Sequence, residues 1–223
     1  MNNDNIVLLR AIPMGPDGKP KSPCKDAWIK ACGDEFLTEV IKALGNDLPL
    51  IVEDLGYLTK EVFDLRDKYG LIWMRVLYFA FGSDPNNMYL PHNYDRNCVV
   101  YTGTHDNNTS IAWFRQNATN NEKENLIKYL QKVGDPEHDI NWDLIRLIHA
   151  SIANLSIVLF QDMLGLAEGC QMNNPAFTPD YNENWNWRFK WEQLKQSAKD
   201  KLKLLTNIYE RHTPKERLEE STK

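Results

Sequence analysis

The sequence has no excess of positive charge: 26 Lys and Arg stand against 31 Asp and Glu, for a net charge of −5. A basic footprint for nucleic acid is therefore missing. No apolar run approaches the roughly 18 residues that a membrane span needs. The start, MNNDNIVLLR, has no basic segment, apolar stretch and small-residue cleavage site in succession, so it does not read as a secretory signal. The four cysteines, Cys24, Cys32, Cys98 and Cys170, form no CxxC pair. Metal-ligand spacing and a disulfide framework are both absent, and a reducing cytoplasm is the expected setting. Neither GxGxxG nor GxxxxGK[ST] occurs, which removes the main support for dinucleotide and P-loop readings.

Aromatic residues are abundant. Seven tryptophans and nine tyrosines in 223 residues can fill a core or offer flat platforms for a sugar face or a base. The hydrophobic share of 42% suffices for one sizeable domain, or one domain with an appendage.

The pattern along the chain reads as α/β. Residues 1–33 look irregular, with a turn-rich loop at 15–23. Asp34 can cap a helix over 35–44 with Phe36, Leu37, Val40, Ile41 and Leu44 on one face and Gly45 as its stop. Apolar runs at 48–52, within 72–81, at 98–102 and at 156–160 predict four strands. A helix capped by Thr59, with Val62, Leu65 and Tyr69 inward, ends at Gly70. Helices are also expected near 108–117, 121–132 and 141–153. A last one spans about 190–210, with Trp191, Leu194, Ala198, Leu202, Leu205 and Ile208 inward. Long polar loops cover 83–97, which includes His92, and 165–186. Alternation of this kind implies a parallel sheet. Four strands make either a small open sheet or a piece of a (β/α)8 barrel, which takes about 250 residues when complete.

Polar clusters follow the predicted strands: EDLG, FGSDP, GTHDN and QDMLG. That end of a parallel sheet is where function gathers. Glu53 follows LPLIV, and Asp106 follows CVVYT. Two carboxylates at neighbouring strand ends suit glycosidic cleavage, which needs a proton at the leaving oxygen and negative charge facing an oxocarbenium ion. The alternative is that Glu53, Asp54 and Asp106 merely cap the helices that follow. His105 has too few companions for a metal site and reads as a hydrogen-bonding partner of a substrate hydroxyl or as a structural histidine. NENWNWRF (182–189) reads either as a sugar-stacking patch or as an aromatic plug beneath the last helix.

The stretch PLIVEDLGYLTKEVFDLRDKYGLIWMRVLYFAFGSDPNNMYLPHNYDRNCVVYTGTHDNNTSIAWF (49–114), with FQDMLGL (160–166), CQMNNPAF (170–177) and NWNWRF (184–189), resembles the amylomaltases, or 4-α-glucanotransferases. The likeness runs from about Ala11 to about Leu205. It implies retaining transfer of α-1,4-glucan segments between malto-oligosaccharides and glucose, with no cofactor and no metal. It implies the C-terminal half of a (β/α)8 TIM barrel over residues 34–211, between the irregular segment 1–33 and a polar tail at 212–223. By the same resemblance Glu53 is the general acid/base, and Asp106 stabilises the transition state. His105 and Asn173 bind sugar. The family's nucleophilic aspartate lies in an Arg-Ile-Asp-His stretch expected before residue 11, where MNNDNIVLLR stands, and Asp4 does not take the role. Chemistry would then require a complementing N-terminal half, and a chain of this kind could also self-associate. The alternative is an inactive glucan-binding half-barrel or a truncated remnant. A half-barrel should also leave two strand edges unpaired and apolar surface wet.

Overall fold

The computed structural model describes residues 7–10, 28–46, 48, 50–55, 58–175 and 184–212. The loop 15–23, Asp4 and tail residues 213–223 lie outside the described residues. The chain forms two compact units, Met1–Met74 and Arg75–Lys223.

In the first unit, strands β1 (Val7–Arg10) and β2 (Trp28–Ala31) pair antiparallel, from Val7 opposite Ala31 to Arg10 opposite Trp28. The stretch expected to be irregular thus contains a two-stranded ribbon. Helix α1 (Gly33–Leu44) begins earlier than expected, with Cys32 at its N-cap. Asp34 is not the cap. Its carboxylate accepts from Lys68 Nζ and from the Tyr69 hydroxyl, and the Lys68 bond holds its pKa below the usual carboxylate value. Only Leu37 of the expected apolar stripe is buried, and Phe36 and Leu44 are exposed. The stripe is wider than the small core of Leu37, Leu65 and Leu71 on which the helix packs. Strand β3 shrinks to Ile51–Val52. Helix α2 (Lys60–Lys68) follows Thr59 as expected, and Gly70 has φ +58°, a left-handed conformation that a residue with Cβ adopts at a cost. β3 pairs in parallel with the start of β4 (Ile72–Val76) through Ile51–Ile72 and Val52–Trp73.

The unit boundary falls inside β4. In the second unit β5 (Cys98–Tyr101) pairs in parallel with β6 (Leu155–Ile157), with Val99 opposite Leu155 and Tyr101 opposite Ile157. The sheet order is β3-β4-β5-β6. This is an open run of four parallel strands with helices, as expected for half of a barrel. The edge strands β3 and β6 leave Ile51 and Leu155 each 45% exposed. Among the described residues these two strands stand at the ends of the sheet, and each leaves an apolar side chain wet.

The core of the second unit joins Val76, Leu77, Phe81, Val99 and Val100 to Leu126 of helix α4 (Asn120–Leu130) and to Ile140, Leu144, Ile145 and Ile148 of α5 (Ile140–Ala150). The segment predicted as one helix over 108–117 is a single turn, α3 (Ser110–Ala112), followed by a π-helical turn over Trp113–Asn117. α4 starts in a full capping box. Thr119 Oγ1 accepts from the Glu122 amide, and the Glu122 carboxylate accepts from the Thr119 amide. Thr119→Ala should lower stability by about 1 kcal/mol, read as a shift of the denaturant midpoint at constant slope.

The strand expected at 156–160 ends at Ile157, because Phe160 already opens the short helix α6 (Phe160–Met163). The last helix, α7 (Gln196–Ile208), is shorter than expected. Of its predicted inward residues Leu205 is buried, while Trp191 and Ile208 are exposed. Trp191 belongs instead to a separate 3-10 turn, Trp191–Gln193. Arg211 fixes the chain just beyond α7 by donating to the carbonyls of His149, Ser151 and Ala153 at the C-terminal end of α5.

Candidate active site

The loop between β5 and α3 holds the GTHDN cluster. Its turn is tied locally: the Thr104 amide donates to Asn107 Oδ1 at 2.8 Å, and the Asn107 amide donates to the Thr104 carbonyl at 3.1 Å. The Asp106 amide reaches Thr104 Oγ1 at 3.3 Å. The helix after the loop is capped by Thr109, whose Oγ1 accepts from the Ala112 amide at 3.3 Å. The capping alternative for Asp106 therefore fails, and its carboxylate is left for another purpose.

The chain returns to this loop after α6. Gln171 Nε2 donates to the Asp106 carbonyl at 2.9 Å and to the Asn173 carbonyl at 2.8 Å. The Asn173 amide donates to the His105 carbonyl at 3.0 Å, and Asn173 Nδ2 donates to Asp106 Oδ1. His105 Nε2 lies 3.3 Å from the same oxygen. His105 and Asp106 remain open to solvent, with side chains 51% and 42% exposed. Both contacts of the carboxylate fall on Oδ1. Oδ2 faces no donor among the described residues and can accept from a sugar hydroxyl.

Trp185 completes this face. Its ring centroid lies 5.1 Å from that of His105, and it is 55% exposed. Its φ of +63° is an uncommon left-handed value for a bulky residue, held by a 2.7 Å bond from its amide to the Met172 carbonyl. The two readings of 182–189 divide by residue. Trp185 is an open aromatic face beside His105, whereas Phe189 packs on Phe160 with centroids 4.6 Å apart.

The structure thus brings His105, Asp106 and Asn173 together. Glu53 follows β3 in the first unit and is exposed. Beside it Asp54 is buried and accepts from the Met74 amide at 2.9 Å, which fixes the end of β3 to β4. The two acids of EDLG therefore have different fates, one structural and one open to solvent. Gln171 is a contact that sequence reasoning missed; its place two residues before Asn173 in CQMNN was the available signal. Among the described residues, no group of three or more His, Cys, Asp or Glu could hold a metal ion, and no helix is long and apolar enough to cross a membrane.

The sequence model of the 4-alpha-glucanotransferase family matches residues 11–196. The chain belongs to the 4-alpha-glucanotransferase family. It is 43% identical to a 4-alpha-glucanotransferase of Synechocystis over 197 residues, covering 88% of this chain and 38% of that protein. It is 42% identical to the Clostridium butyricum 4-alpha-glucanotransferase over 185 residues, covering 82% and 37%. Among solved structures, amylomaltase from Streptococcus agalactiae in complex with acarbose superposes with a TM-score of 0.76 at 32% identity, over 83% of this chain and 36% of the other. The chain therefore spans between a third and two-fifths of the length of these 4-alpha-glucanotransferase relatives.

Proposed function

We propose that this chain supplies the acid/base and transition-state-stabilising part of a retaining α-1,4-glucan transfer site. The observation that carries the reading is the Asp106 carboxylate, half exposed and held on one oxygen by Asn173 and His105. Its free oxygen can take sugar hydroxyls, and its charge can face the oxocarbenium ion. His105 adds a second polar contact to the sugar, and Trp185 offers the flat face on which a glucose ring can stack. Glu53 protonates the departing glycosidic oxygen and later takes a proton from the acceptor hydroxyl. The attacking carboxylate is contributed by the N-terminal half of the barrel, and self-association could only cover the exposed edges. The exposed Ile51 and Leu155 on the two edge strands support such a partner. The substrates are α-1,4-glucans with glucose as acceptor, no cofactor takes part, and the setting is cytoplasmic.

A second reading is a half-barrel that holds glucan through the same Asp106 face without turnover. Both readings require the Asp106 face to grip sugar. Calorimetric titration with acarbose should show binding, weakened about tenfold or more by Asp106→Asn, since a charged hydrogen bond is worth roughly 1.5–3 kcal/mol. A folded protein that binds acarbose equally well with and without the Asp106 charge would reject both.

A further inference from the structure

Beneath the GTHDN loop lies a buried acid that plays no part in the chemistry above. Asp162, on α6, has no solvent exposure. One carboxylate oxygen, Oδ2, accepts from Thr102 Oγ1 at 2.7 Å; the other, Oδ1, accepts from the Ser110 amide at 2.6 Å. Thr102 is the residue that follows β5, and Ser110 is the first residue of α3. The carboxylate therefore clasps both ends of the loop that presents His105 and Asp106. The Tyr78 hydroxyl lies 2.9 Å from Ser110 Oγ and 3.5 Å from Asp162 Oδ2, so its ring is anchored to the same node. The Asp162 carbonyl accepts from Asn141 Nδ2 at 2.8 Å, which ties α6 to α5.

We infer that Asp162 is a positioning residue for the Asp106 face: its carboxylate closes the base of the 102–110 loop and fixes where the sugar-gripping carboxylate stands. A short apolar staple could close the loop as well, but it would leave the Thr102 hydroxyl and the Ser110 amide without acceptors. Burial raises the pKa of Asp162, and the bonds from Ser110 and Thr102 oppose that shift. A buried carboxylate whose two oxygens accept from the two ends of one loop is better explained by geometry than by stability.

Two isosteric variants and one conservative variant test this by amide hydrogen exchange and by acarbose titration. Asp162→Asn removes the charge, Thr102→Val removes one arm of the clasp, and Thr102→Ser restores that arm. Exchange at residues 104–108 should quicken about tenfold in the first two, the equivalent of one charge-assisted hydrogen bond. Exchange in α5 at Leu144–Ile148 should stay at the wild-type rate, and Thr102→Ser should behave as wild type. Acarbose affinity should fall about tenfold in the same two variants, as expected when a binding group is misplaced. Unchanged loop exchange in folded Asp162→Asn and Thr102→Val would overturn the inference. Equal acceleration in loop and α5 would also overturn it, because Asp162 would then be a general stabiliser. The affinity arm rests on the glucan reading: a wild-type chain that ignores acarbose rejects that reading, and the exchange arm still decides the clasp.

Discussion

Gly103→Ala should destabilise the second unit by about 3 kcal/mol, the upper range for forcing extra volume into a packed core. A Cβ at this position would stand 2.4 Å from Tyr78 Cε2 and 3.0 Å from both Cδ2 and Cζ. The ring cannot withdraw. It is buried, stacked on Trp113 with centroids 4.7 Å apart and planes 5° from parallel, and its hydroxyl is held by Ser110. The backbone must move instead, and Gly103 lies two residues before His105 in the loop that Asp162 clasps. The same substitution should therefore weaken acarbose binding as well as lower the denaturant midpoint. A double-mutant cycle with Tyr78→Ala identifies the cause, because Gly103→Ala should cost little once the ring is gone. A full cost in the Tyr78→Ala background would refute the steric account.

Glu53→Gln should reduce transfer from maltotriose by about 10²–10⁴-fold in a chain complemented by the N-terminal part of a relative, the usual worth of a positioned general acid/base. Glutamine keeps the shape of the side chain but has no proton to give the leaving oxygen. KM should change little, since an exposed residue that acts on the leaving group adds little to ground-state binding. The loss in the first half-reaction should shrink with an α-maltosyl fluoride donor, because fluoride leaves without protonation. An equal loss with both donors would point to a broken fold rather than a missing acid.

Much of this was legible in the chain itself. Four apolar runs ending in polar clusters gave the four strands in order, and the Thr59 and Gly70 signals bracketed α2 correctly. These are local effects, and local sequence carries them. The errors are tertiary. Asp34 looks like a cap, yet Lys68 and Tyr69, far along the chain, offer it better partners than the helix amides. Phe36 and Trp191 fit helical stripes, but a stripe does not reveal how wide a surface will cover it. The family resemblance marked Asn173 only as a sugar-binding residue; its bond to Asp106 was not legible, because 67 positions separate the two residues. The role of Asp162 was hidden for a similar reason. The motif QDMLG marked a strand end, but the partners of the carboxylate, Thr102 and Ser110, lie on another β/α unit. A buried acid is recognised only once its donors are in place.

The central claim is that this chain carries the acid/base and stabilising residues of a glucan transfer site. It is tested most directly by incubating the complemented chain with maltotriose and following the oligosaccharides by chromatography. Glucose and maltopentaose should accumulate with the wild-type chain and be nearly absent with either Glu53→Gln or Asp106→Asn. A folded, acarbose-binding complex that transfers nothing, or one that transfers equally well without these two carboxylates, would contradict the account.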